Sequence, residues 1–131
     1  MKKIILLIAI GGAFFFTSGV EAKLLPRFTK TSGLVVSPRL RSDRQALVLT
    51  LSNLQKVKNV TYTLMYQTNG VDQGVGGSLD SSSGSSVTRE LLFGTCSDVC
   101  RYHSSITNMK LEIVSELPNG RQTLRRYRIR V

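Results

Sequence analysis

The chain has 131 residues, 18 Lys+Arg against 8 Asp+Glu, one histidine, two cysteines and no tryptophan. A length near one domain and two cysteines exclude a disulfide-dense miniprotein, and 41% apolar residues exclude a disordered polyelectrolyte. A formal charge of +10 favours anionic partners through long-range attraction and excludes no fold.

Residues 1–22 read as an export signal. Met1-Lys2-Lys3 is a short basic start, Ile4–Val20 carries no charge, and Val20-Glu21-Ala22 ends it with small residues at the outer positions. A retained anchor is the competing reading. A spanning helix needs ~20 apolar residues, whereas Ile4–Val20 is 17 residues broken by Gly11-Gly12, Thr17 and Ser18. Cleavage after Ala22 is therefore expected, with membrane contact only if the segment stays attached. The lysine-rich start and short apolar centre point to a bacterial signal and to a secreted, periplasmic or envelope-associated protein. Removing Lys2, Lys3 and Glu21 with the leader leaves 16 basic against 7 acidic residues, a surplus of +9 over 109 residues. That is one domain with enough chain to bury a core.

Residues 23–32 hold a proline, three cations and little periodicity, so they read as a linker arm. Residues 33–131 form the expected domain, and from there the apolar residues recur with period 2. Gly33–Ser37 is a first short strand, with Pro38 at its end or on an edge. In Gln45–Asn53, Leu47, Leu49 and Leu51 share one face. In Val60–Tyr66, Val60, Tyr62, Leu64 and Tyr66 share another, and β-branched and aromatic content favours strand over helix. Asn59-Val60-Thr61 matches the N-glycosylation pattern. Thr68–Ser86 breaks the alternation with Asn69-Gly70, four further glycines and a serine run. It reads as loop, with at most a short strand at Val71–Val75. Val87–Phe93 resumes a strand, Gly94–Asn108 is a polar loop holding both cysteines, and Met109–Ser115 is a strand. Pro118-Asn119-Gly120 is a turn, and Arg121–Val131 is a final strand.

About seven short strands with turns between them and no helix predict an all-β, antiparallel β-sandwich. Tyr62-Thr63-Leu64-Met65-Tyr66, and Leu111-Glu112-Ile113-Val114-Ser115 running through Pro118-Asn119-Gly120 into Arg121, resemble the third and the last two strands of a fibronectin type III or related immunoglobulin-like domain. The resemblance covers roughly residues 32–131 and implies a binding or spacer module.

Cys96 and Cys100 are expected to form a disulfide, as an isolated pair in an exported chain usually does. The alternative is a small metal or redox site. Cys96, Cys100 and His103 are spaced C-x3-C-x2-H, and thiolate and imidazole bind zinc or copper, but a structural site wants a fourth ligand and only Asp98 is near. The final strand is the second candidate: Arg126, Arg128 and Arg130 recur at ~6.5 Å on one face, with Arg121 and Arg125 beside them. Arginine forks suit phosphate and carboxylate, so these five residues form a candidate anion-binding stripe, which Arg39, Arg41 and Arg44 could join. An anionic surface polymer or an envelope protein is the expected partner. No aromatic residues interleave as a stacking platform, which argues against nucleic acid. Catalysis is not expected: His103 is the sole imidazole, Gly74-Val75-Gly76-Gly77 opens no helix, and the carboxylates are scattered. No cofactor is expected. The reading is thus an exported, non-catalytic binding or structural module.

Overall fold

The computed structural model describes residues 33–131 together with the backbone of a strand at Phe28–Thr29. The expected signal segment lies outside the described residues. Ten strands follow one another: β1 (Phe28–Thr29), β2 (Val35–Leu40), β3 (Ala46–Ser52), β4 (Asn59–Thr68), β5 (Val71–Asp80), β6 (Ser86–Leu92), β7 (Gly94–Cys96), β8 (Cys100–Tyr102), β9 (Ile106–Glu116) and β10 (Gln122–Arg128). Single 3-10 turns at Leu54–Lys56 and Ser81–Ser83 are the only helical pieces described, and among the described residues no helix is long and apolar enough to cross a membrane.

The strands form three sheets. One runs β1-β10-β9-β4-β5, a second runs β2-β3-β6, and β7 and β8 form a hairpin of their own. All pairings are antiparallel except the two-residue β1–β10 contact, which is parallel. Phe28–Thr29 thus adds a strand inside the stretch read as a linker arm.

The two larger sheets face each other across one core, the arrangement of a β-sandwich. Period-2 alternation built it: Leu47, Leu49 and Leu51 of β3 and Leu91 of β6 meet Val60, Tyr62, Leu64 and Tyr66 of β4 and Met109, Leu111 and Ile113 of β9, all buried. Each side chain of this size contributes ~1.5–3 kcal/mol when withdrawn from water. Outward neighbours are mostly polar, with Val48, Met65 and Val114 as exceptions, and the three-stranded sheet carries cross-strand hydroxyl pairs, Thr50 with Thr88 at 3.0 Å and Ser52 with Ser86 at 2.9 Å. On the inner face Ser115 and Thr123, opposite each other in β9 and β10, satisfy one another by a buried hydrogen bond. Strand β2 continues through Pro38 to Leu40. Because β2 is an edge strand paired only with β3 among the described residues, the missing N–H costs no ladder bond.

Two departures from the sequence reading stand out. The segment read as glycine-serine loop contains β5, ten residues paired with β4 without a register break. The turn that starts it is Asn69-Gly70 with φ of 50° and 78°, the signature of a type I′ hairpin. The strand lacks apolar alternation because its neighbours cover it. The Tyr62 ring lies on Gly77, its cross-strand partner, where a Cβ would sit 2.5 Å from the phenol oxygen. Likewise, the polar loop Gly94–Asn108 contains the β7–β8 hairpin and the first turn-out of β9. Between Met65 and Gln67 the β4–β9 register shifts by one, and Asn108 (φ 51°) is the bulged residue.

Candidate functional site

The charged residues of the final strand divide by face. Arg126, Arg128 and Arg130 point outward and are exposed, whereas Thr123, Arg125, Tyr127 and Ile129 turn toward the other sheet. Arg125 therefore leaves the expected stripe. Its guanidinium donates to the Leu34 carbonyl at 2.8 Å and ties the edge of one sheet to the start of β2. Arg121 precedes the strand in the β9–β10 turn. Arg126 donates to Glu112 at 2.7 Å, its cross-strand partner in β9. The stripe thus narrows at one end and gains a member at the other: Lys110 is opposite Arg128 and exposed on the same face. Sequence reading passed over Lys110 because an isolated lysine gains meaning only from its cross-strand register.

Lys110, Arg128 and Arg130 border a hollow of about 580 Å³ between the start of β9 and the end of β10, with Asn108 and Thr107 on its wall. A smaller hollow of about 330 Å³ continues over Lys110, Glu112, Arg126 and Arg128. A third, of about 510 Å³, lies toward β5 and is lined by Met65, Gln67, Asp72, Asn108, Lys110 and Glu112. Gln67 orders that side by donating to Asp72 at 2.8 Å and accepting from Asn108 at 2.6 Å. Lys110 borders all three hollows, so cationic groups converge on one end of the outer face of the five-stranded sheet.

The remaining arginines do not join it. Arg39 is exposed on β2, in the other sheet. Arg41 grips Asp43 through Nε (2.8 and 3.0 Å) and Nη2 (2.7 Å) and reaches Glu90 at 3.1 Å. The hydrogen bonds to Arg41 and the Gln45 N–H hold the Asp43 carboxyl below the usual range, and the same pairing raises the Arg41 pKa. Any stability from Asp43 is therefore present above the ordinary carboxylate pKa and is lost as pH falls below it. Arg44 sits in that turn at φ 58°.

Cys96 and Cys100 are joined. They are opposite residues at the end of the β7–β8 hairpin, with Cα atoms 4.1 Å apart, and both are exposed. His103 turns away from them: its Nδ1 lies 2.9 Å from the Tyr66 hydroxyl, and its N–H donates to the Phe93 carbonyl at 2.7 Å. Tyr66, Phe93 and His103 form one aromatic group at ring distances of 5.4 and 5.9 Å from Tyr66. Burial raises the Tyr66 pKa, so its phenol stays protonated. The C-x3-C-x2-H spacing thus serves two purposes, a staple at the hairpin tip and an anchor at its base. Among the described residues no three Cys, His, Asp or Glu side chains gather around a common point. Unreduced protein treated with Ellman's reagent under denaturing conditions should release no thiol, and two equivalents after reduction; two equivalents before reduction would reject the disulfide. Asn59 of the glycosylation pattern is exposed at the start of β4.

Compared with family models, curated proteins and solved structures, the chain matches none.

Proposed function

We propose that this protein is an exported, non-catalytic binding module of the immunoglobulin or fibronectin type III kind, which engages an anionic polymer or anionic envelope component. The sheet orders support the module class: three strands (β2-β3-β6) oppose five (β1-β10-β9-β4-β5), of which β1 is a two-residue edge piece. The export reading rests on the basic-apolar-small layout of residues 1–22 and on a disulfide, which persists in oxidising compartments.

The observation that carries the ligand reading is the convergence of Lys110, Arg128 and Arg130 around one concave end of a sheet face. Two forked guanidinium groups with an ammonium between the strands suit phosphate, sulfate or carboxylate oxygens carried on a flexible chain. Retention of the protein on heparin or phosphocellulose should weaken steeply with salt, because screening shortens to ~3 Å at 1 M. Arg128→Ala with Arg130→Ala should elute at clearly lower salt than Arg39→Ala with Arg44→Ala, which removes the same charge from elsewhere. Equal elution of the two double variants would mean that net charge alone is read and would sink the site.

A further inference from the structure

We propose that copies of this chain join head to tail by extending one sheet, the free edge of β5 pairing antiparallel with the β10 edge of the next copy. Four long edges bound the two main sheets, and three are blunted. Strand β2 carries Pro38, β6 carries Arg89 and Glu90, and β10 is covered by β1 at Gln122–Thr123. Strand β5 has no proline, no cation and no bulge over ten residues; its charges are the carboxylates of Asp72 and Asp80, and among the described residues no strand covers its outer edge. Long flat edges of this sort template pairing with another strand.

The hydrogen-bond phase of both edges is fixed. The two-residue turn makes Thr68–Val71 the first bonded pair of the β4–β5 hairpin, so alternate residues from Val71 bond to β4. Asp72, Gly74 and Gly76 then direct N–H and C=O to the open side. On β10, Leu117 N–H donates to the Arg121 carbonyl and Ile129 N–H to the Met109 carbonyl, so the odd residues bond to β9. Arg126, Arg128 and Arg130 therefore direct their backbone groups outward, and among the described residues no strand covers them.

The register follows from the sheet itself. Gly74, Met65, Lys110 and Arg128 stand in one row across β5, β4, β9 and β10. A copy displaced sideways along that row sets its Arg128 opposite Gly74, Arg126 opposite Gly76 and Arg130 opposite Asp72. These pairs join outward-directed backbone groups on both strands. Strand directions also agree: β4 and β10 both run antiparallel to β9, and β5 runs antiparallel to β4, so β5 meets the next β10 antiparallel.

Charge selects this occupant over a two-fold dimer. The outer face of β5 carries Asp72 and Asp80 and no cation, so β5 against β5 opposes carboxylates, while β5 against β10 opposes Asp72 to arginine. The glycines leave room for the long Arg126 and Arg128 side chains to lie across the seam. The contact is heterologous and does not close by two-fold symmetry.

Sedimentation velocity on the purified chain at ~0.15 M salt, where the +9 surplus is screened beyond ~8 Å, should show a sedimentation coefficient that keeps rising with concentration. Asp72→Lys alone and Arg130→Asp alone should each weaken association ~2- to 30-fold, the swing between an attractive and a repulsive cross-strand pair. Mixing the two variants should restore it, since each supplies the edge the other lacks. Gly74→Pro should abolish it, because it removes an outward N–H and no β4–β5 bond. A Cβ there meets nothing closer than the Leu64 carbonyl at 3.8 Å. Gly74→Pro leaves Arg128 and Arg130 in place and should not weaken retention on heparin, which separates this contact from the anion site that shares those two arginines. The charge and proline arms alter different strands, so a folding failure in one leaves the other decisive. A single monomeric species at all concentrations would overturn the proposal. So would a dimer plateau that survives Arg130→Asp.

Discussion

Phe93→Ala should destabilise the domain by about 3–5 kcal/mol, the range for emptying a buried aromatic site. The ring is fully buried at the end of β6, where it fills the space between the sheets beside Tyr66. Its backbone is committed at the same point: Phe93 N–H donates to the Gln45 carbonyl at 2.9 Å and its carbonyl accepts from His103 at 2.7 Å. The surrounding chain is therefore pinned and cannot collapse into the void, which places the cost toward the upper part of that range. Against a total stability of ~5–15 kcal/mol, this removes a large fraction. The measurement is urea unfolding followed by circular dichroism, with the midpoint lowered and the slope unchanged. Tyr66 should also titrate closer to an ordinary phenol, because the burial that raises its pKa is partly relieved. A loss below ~1 kcal/mol would place Phe93 outside the cooperative core, in the range of ordinary surface changes.

Gly94→Ala is the second large effect. Gly94 opens β7 at φ 150°, a backbone region that costs other residues of order 1–3 kcal/mol. The added methyl would also collide with the Arg101 carbonyl oxygen and lie 2.9 Å from Tyr102 Cα. Those atoms belong to the opposing strand β8, paired through Gly94↔Tyr102, so they cannot withdraw without opening the hairpin at its base. Opening the base pulls on His103 and its bond to Tyr66. Gly120→Ala is the fitting comparison. Gly120 also has positive φ, 79°, but an added Cβ meets nothing within 4 Å. Gly94→Ala should lower the unfolding midpoint clearly more than Gly120→Ala. Equal losses would mean that strain, not the contact with β8, sets the cost.

The parts of this fold that could be read in advance are those whose burial is written as strict alternation. Leu47-Leu49-Leu51, Val60-Tyr62-Leu64-Tyr66 and Met109-Leu111-Ile113 each place large side chains on one face, and each is buried. Strand β5 was legible only at Val71–Val75; beyond them its inward positions include Gly77, whose space is filled by Tyr62 from the neighbouring strand. A strand that borrows its cover leaves no period of its own. The β7–β8 hairpin escaped for another reason: three residues per strand are too few to show a period, and its pairing is held at the tip by a covalent bond and at the base by an imidazole.

The candidate site divides the same way. Alternation placed Arg126, Arg128 and Arg130 together on the outer face. It could not show that Glu112 engages Arg126, that Arg125 bridges to Leu34, or that Lys110 completes the cluster. Those are facts of register between strands, which one strand's sequence does not contain.

The position of the disulfide has a consequence for the order of events in the cell. Cys96 and Cys100 close a five-residue ring beyond the two facing sheets, and none of the core strands is cross-linked to another. Packing of the sheets can therefore run to completion while both thiols are still reduced. Oxidation is then not required for the sheets to pack, and its effect is confined to the hairpin tip. A chain built this way depends on no isomerase to sort its cysteines, and its sandwich should be recoverable from a reducing cytoplasm with only the hairpin tip left loose.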